Sequence, residues 1–286
     1  MSTDSTRNEN TYFIDAESGA ELARLMYQER IVTQTMGGLF PSDFDPSSAK
    51  DVLDVGCGPG GWVLDVAHAY PDIHVTGLDI SQKTVEYART QAKVQWLDNA
   101  SFEVMDVLQP LNFSDNSFDF VNARFISGFM PAAAWPELVR ECLRITHPGE
   151  FIRLTEPEYH FSNSSASEKL GKIVSRAIEL AGKGFSDGGR NVGITPMLGR
   201  FLRDAGCQNI QKAAYALDFS AGEKEHESQC QNTTVFFQLL KPFLIKTGVT
   251  TDEEFEQLYQ QALIDMLSNG FCGIWFYLSA WGQKPY

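Results

Sequence analysis

Residues 52–61 read VLDVGCGPGG, an apolar run that passes directly into glycines at 56, 58, 60 and 61. A short, nearly continuous apolar run of this kind suits a strand covered on both faces. The glycines lack side chains where the backbone must turn sharply and come close to a ligand. From Gly61 onward, GWVLDVAHAY takes up a helical period. A G-x-G-x-G run is weak evidence alone. Between a strand and a helix it gains physical meaning.

The same alternation continues outward from this turn. Strands are expected over 51–55, 74–78, 101–105, 118–122 and 150–156, and helices over 61–70, 82–95 and 133–144. Strands alternating with helices predict a doubly wound, Rossmann-like α/β fold with a mostly parallel sheet. Thr195-Pro196, an N-cap before proline at the first helical position, opens a helix to about Ala205, and Gly206 ends it. Strands over 209–219 and 271–280 complete a seven-stranded sheet. Upstream, a helix over 18–36 has Leu22, Leu25, Met26 and Val32 at helical spacing, Ser18 and Glu21 as a capping box, and Gly37-Gly38 as its stop.

The chain therefore divides into an N-terminal tail and helical arm (1–48), an α/β core (49–161, 194–221 and 270–286) and two helical cap insertions (162–193 and 222–269). In the second insertion Thr251 and Glu254 form a capping box, and Phe255, Leu258, Ala262, Leu263 and Met266 share a helical face. Caps between sheet strands fall near the crevice at the strands' carboxyl ends.

Three acids stand at that edge. Asp54, two residues before Gly56, would face a pyrophosphate unfavourably but suits the amino group of an amino-acid moiety. This favours a methyl-donor nucleoside over a dinucleotide. Asp79 in GLDIS ends the second strand, where a carboxylate accepts from both hydroxyls of an adenosine ribose. That feature fits either ligand. Asp106 in FEVMDV ends the third strand within reach of an adenine amino group, with the Val107 N–H beside it. Each acid alone has a turn or capping explanation. Three at successive strand ends point to a bound nucleoside.

Over residues 51–156 the chain resembles the class I S-adenosylmethionine-dependent methyltransferases. VLDVGCGPGG is similar to their first motif throughout, and IWFYLSAWGQKP, at 274–285, resembles their antiparallel closing strand. The resemblance implies S-adenosyl-L-methionine as cofactor. By it, Asp54, Gly56, Cys57, Gly58 and Gly60 line the methionine part, Asp79 and Ile80 the ribose, and Asp106 and Val107 the adenine. Asn122, Ala123 and Arg124 would lie beneath the methionine, beside the acceptor. ARLMYQERIV resembles the arm that covers the cofactor in small-molecule members, making Tyr12, Arg24 and Gln28 further contacts. The Asn/Asp-Pro-Pro-aromatic run of members that methylate nucleobases or glutamine is replaced here by VNARF, which argues against those acceptors.

The implied reaction is in-line displacement at the sulfonium methyl, helped by positioning in a closed site. No catalytic residue is assigned outright. His160, Glu156 and Glu158 follow the fifth strand as candidate bases, His160 also reading as a solvated or capping residue, and Arg124 is placed either to hold an anionic substrate or to make a salt bridge. Phe236, Phe237, Phe243 and Tyr259 supply aromatic surface for an apolar pocket or for helix packing, so the acceptor is expected to be a small molecule, with a lean toward a hydrophobic secondary metabolite. Two alternatives stay open. One is a non-catalytic binding or regulatory protein. The other is an NAD-dependent oxidoreductase, against which no Tyr-x-x-x-Lys pair occurs.

Composition narrows the setting. A chain of 286 residues with 43% hydrophobic content can bury a large core. Its net charge of −14 disfavours nucleic-acid partners. The five cysteines are dispersed without a Cys-x-x-Cys pair, which suggests no disulfide framework or metal site and suits the cytoplasm. The first ten residues, MSTDSTRNEN, lack a signal pattern and are expected to fray, and no apolar stretch is long enough to span a membrane. A monomer or homodimer is expected.

Overall fold

The structure, a computed structural model, describes residues 12–15 and 18–286; the expected frayed tail lies outside them. Helix α1 (Gly19–Thr35) packs over the strand ends that follow it. The α/β unit then runs β1 (Asp51–Val55), α2 (Gly61–Ala69), β2 (His74–Asp79), α3 (Gln82–Val94), β3 (Ala100–Val104), β4 (Phe118–Arg124), α4 (Trp135–Ile145) and β5 (Thr146–Pro157). It continues through β6 (Phe161–Ser162), α5 (Ser165–Leu180), α6 (Leu198–Ala205), β7 (Gln208–Asp218), α7 (His226–Lys246), α8 (Asp252–Met266) and β8 (Gly273–Gln283).

One sheet carries all eight strands, one more than expected, because the two-residue β6 pairs with β8. Its path is β3-β2-β1-β4-β5-β8-β6, and β7 pairs with β8 off that path. The pairings among β1 to β5 are parallel, and β8 runs antiparallel to β5, β6 and β7. Strand order reverses at β1 and β4, so a crevice opens beyond their carboxyl ends.

Side chains alternate between the two sheet faces, and both are buried. Val52, Phe120 and Phe151 join Trp62, Val63 and Val66 of α2 on one face. Leu53, Val121 and Ile152 join Trp135 and Val139 of α4 and Phe201 of α6 on the other, where Trp135 stacks on Phe201 at 5.5 Å between ring centroids. The buried faces of α5, α7 and α8 belong to this second core. At about 25 cal/mol per Å² of apolar surface removed from water, such burial is what holds the cap helices to the sheet.

Two expected caps are corrected. The Ser18 side chain makes no capping bond, its own N–H donates to the Asp15 carbonyl at 3.0 Å, and the Glu21 carboxylate turns to Tyr12 and Arg24. Thr195 opens a 3-10 turn, with α6 starting only at Leu198; its hydroxyl donates to Glu158 Oε1 at 3.0 Å. Thr251 does cap α8, accepting from the Glu254 N–H at 3.1 Å, but Glu254 answers to the Thr250 hydroxyl. Among the described residues no helix is long and apolar enough to cross a membrane.

Candidate functional site

Beyond β1 the chain turns through Gly56, Gly58 and Gly60 at φ of 71°, 53° and 84°. The Gly58 N–H donates to Asp79 Oδ2 at 3.1 Å, and the Ser81 N–H donates to Asp79 Oδ1 at 2.8 Å. Burial pushes the Asp79 carboxyl above its ordinary range, and these N–H donors oppose the shift. Against this turn lies a cavity of about 910 Å³ including its mouth, lined by Gly56, Cys57, Gly58, Asp79, Ile80, Met105, Asp106 and Val107. Leu25, Gln28 and Glu29 of α1 cover it, and Tyr12, Arg124, Phe125 and Phe129 close its far side.

The lining suits a cationic nucleoside. Three carboxyl groups, from Glu29, Asp79 and Asp106, stand against one guanidinium, Arg124, which is itself ion-paired to Glu29. A pyrophosphate would meet repulsion there. A Cβ built on Gly58 would have only Leu25 near, at 4.0 Å, so the turn leaves free space in front of the backbone.

Asp54 points elsewhere. The sheet register sets Asp54, Asn122 and Arg153 side by side on β1, β4 and β5. Asn122 Nδ2 donates to Asp54 Oδ1 at 2.7 Å, and Arg153 Nε donates to Asn122 Oδ1 at 2.8 Å. The ladder lies on the α2 face, with the Arg153 guanidinium 5.7 Å from the Trp62 ring centroid. Burial drives the Asp54 carboxyl upward in spite of Arg124 nearby.

A second cavity, about 870 Å³ including its mouth, adjoins the first and shares Tyr12, Gln28 and Phe125 with it. Its wall comes from α1, from the segment after β5 (Glu158, Tyr159, His160), from α5 (Val174, Ile178), from α7 (Gln229, Asn232, Thr233, Phe236) and from Trp275 of β8. Between the cavities runs a buried network. Tyr12 Oη donates to Glu21 Oε1 at 2.7 Å, Arg24 donates to both Glu21 oxygens at 2.7 and 2.8 Å, and Arg24 Nη1 donates to Gln28 Oε1 at 2.8 Å.

Comparison with known proteins agrees with this geometry. Residues 52–149 match the family described as a methyltransferase domain. Over that stretch the chain is similar to a methyltransferase domain. Among curated relatives, the methyltransferase pytC of Aspergillus terreus is 24% identical over 188 residues, 65% of this chain and 54% of that protein. The chain thus spans about half the length of that relative. The demethylmenaquinone methyltransferase of Geobacillus kaustophilus is 26% identical over 183 residues, 60% of this chain and 76% of that protein. Among solved structures, phosphoethanolamine N-methyltransferase 2 of Haemonchus contortus superposes with a TM-score of 0.55 at 15% identity, covering 96% of this chain and 60% of that one. At that identity the likeness is one of fold.

The residues singled out from sequence divide cleanly. Gly56, Cys57, Gly58, Asp79, Ile80, Asp106 and Val107 line the first cavity, with Tyr12, Gln28 and Arg124. Arg24 lines the second. Asp54, Asn122 and Ala123 line neither: the first two are spent in the ladder with Arg153, and Ala123 is buried in the core. Gly60 also stands back, since a Cβ there would meet the Phe102 ring at 2.6 Å, so its role is packing. Burial pushes the Cys57 thiol well above its ordinary value, against any nucleophilic role.

The candidate bases separate too. Glu156 lies behind the second cavity, accepting from the Ile126 N–H at 2.8 Å and the Ser127 N–H at 3.3 Å, and burial pushes it up to about 8. Glu158 and His160 do line that cavity, but Glu158 is tied to the backbone N–H of Gly193 and to Thr195. His160 is buried, not solvated, with Nε2 2.7 Å from Ser167 Oγ, and desolvation lowers it to about 3. Of the aromatic set only Phe236 reaches the cavity; Phe237 and Tyr259 are core, and Phe243 stacks on Phe13 at 5.1 Å. Sequence reasoning missed Glu29 and Asn232. Glu29 follows Leu25 by four residues on the helix face that covers the cavity, a spacing that could have marked it.

Proposed function

We propose that the protein is an S-adenosylmethionine-dependent methyltransferase acting on a small molecule. The observation that carries this reading is the pair of adjoining cavities, one built on the glycine turn and strand-end acids, the other largely apolar, with Tyr12, Gln28 and Phe125 common to both. When bound, S-adenosylmethionine supplies an electrophilic methyl group on a sulfonium. Asp79 and Ile80 hold the ribose, Asp106 and Val107 the adenine, and Gly56, Cys57 and Gly58 the methionine end. Glu29, unforeseen in the sequence, adds negative charge in place of Asp54.

At the junction Tyr12 and Phe125 exclude water and align the acceptor. Of the candidate bases, Glu158 and His160 line the second cavity; Glu158 is held by Gly193 and Thr195, and an imidazole lowered to about 3 is a weak base. Positioning therefore supplies most of the catalysis. The free thiols of all five cysteines suit a cytoplasmic setting, and the apolar second cavity suits a hydrophobic metabolite. Calorimetric titration tests the reading. S-adenosylhomocysteine is expected to bind and NADH not to; NADH binding without S-adenosylhomocysteine binding would overturn it. Labelled-methyl transfer into apolar metabolite pools separates an enzyme from a non-catalytic binder.

A further inference from the structure

Among the described residues that line the second cavity, one has a fully buried side-chain atom without a hydrogen-bond partner. Asn232, on the inner face of α7, is 8% exposed, and its Nδ2 donates to Gln229 Oε1 at 3.3 Å. Its Oδ1 is buried and accepts no hydrogen bond. Buried amide oxygens are normally satisfied, and one left open costs stability until a donor reaches it. The same wall presents Phe13, Val174, Ile178, Val192, Phe236 and Trp275 as apolar surface, beside the polar Tyr159, His160, Gln229 and Thr233.

The charged groups of that wall are already engaged. The Arg24 guanidinium donates to both Glu21 oxygens and to Gln28. Glu158 adds a carboxylate, held by Gly193 and Thr195. Lys183 donates from Nζ to the Gly128 carbonyl and is not a lining residue. An anionic acceptor would thus meet one carboxylate and a guanidinium already neutralised by its own partner.

The geometry points to a neutral, largely apolar acceptor whose hydroxyl or N–H donates to Asn232 Oδ1. Asn232 is then a specificity-determining residue that orients the acceptor from the α7 wall. A site built around a polar group discriminates strongly against analogues lacking the matching donor. This inference rests on reading the second cavity as the acceptor site.

The test uses three probes of one shape on the full chain: 2-naphthol, 2-methoxynaphthalene and 2-naphthyl phosphate, followed by calorimetry. Wild type is expected to bind 2-naphthol about tenfold more tightly than the methyl ether, which has no donor, and the phosphate most weakly. In Asn232→Leu the preference for naphthol over its ether disappears while ether binding stays within about twofold. A merely structural role would weaken both probes alike, and that result overturns the proposal. So does tighter binding of the phosphate, equal binding of naphthol and ether by wild type, or no naphthol binding by folded protein. The wild-type comparisons stand even if the variant fails to fold. S-adenosylhomocysteine titrated into the same samples reports on the first cavity, so failure of the cofactor reading shows separately.

Discussion

The Gly58 N–H donates to Asp79 Oδ2 across 3.1 Å, tying the turn after β1 to the last residue of β2. Asp79 therefore shapes the glycine turn as well as lining the cavity. Asp79→Ala removes charge-assisted bonds of about 1.5 to 3 kcal/mol and is expected to weaken S-adenosylhomocysteine binding roughly 10 to 100-fold, with Asp79→Asn falling between. Calorimetry on folded variants checks this. Unchanged affinity in the alanine variant would remove the ribose assignment.

Two glycines of the turn should separate ligand binding from folding. Gly60→Ala drives a Cβ into Phe102 and is expected to destabilise by about 1 to 3 kcal/mol in urea unfolding. Gly58→Ala meets nothing closer than Leu25 and sits at a φ of 53°, so its folding cost is about 1 to 2 kcal/mol. Its Cβ enters the cavity, however, and cofactor affinity should fall at least tenfold. Equal stability losses with intact binding in Gly58→Ala would contradict the cradle.

The Tyr12, Glu21, Arg24 and Gln28 network is a buried ion pair with its remaining bonds filled. Removing one charge leaves the other stranded, so Arg24→Met should cost about 3 to 5 kcal/mol, whereas Glu21→Leu with Arg24→Met together should cost much less. Tyr12→Phe loses one hydrogen bond, about 1 kcal/mol. Chemical denaturation of these three variants and of Glu21→Leu alone gives the coupling directly; additive losses in the double variant would show that the charges do not act as a pair.

Two buried groups should give stability opposite pH dependence. His160 is lowered from 6.5 to about 3, so the unfolded chain binds its proton first. The contribution is complete above about 6.5 and is lost as pH falls toward 3, and His160→Asn should flatten that acid loss. Glu156 is raised from 4.5 to about 8, so the folded chain keeps a proton that the unfolded chain releases. Its contribution is present below about 4.5 and lost as pH rises through 8. Glu156→Gln, which cannot ionise, should gain on wild type from pH 5 to 9. Melting temperatures across pH 4 to 9 test both signs; parallel wild-type and variant curves would refute them.

Much of the fold was legible because its signals are local. The apolar runs of β1, β2 and β4, the glycine turn and the helical periods between them appear where the pattern places them, within a residue or two. Caps were less legible, since Glu21 turned to the side chains of Tyr12 and Arg24 and Thr195 to the distant Glu158 rather than to the neighbouring backbone. The two-residue β6 has no periodicity to read. In the site, Gly58, Asp79 and Asp106 were recoverable from their places at strand ends.

By itself the sequence determined that an α/β sheet would present a glycine turn and two strand-end acids along one edge, because backbone turning and strand alternation depend on near neighbours. Only the tertiary structure decided that Asp54 would face Asn122 and Arg153, that Glu29 would take its place at the cavity, and that Asn232 would be left open on the α7 wall. Those outcomes depend on strand register and helix packing between segments far apart in the chain, which no local pattern encodes.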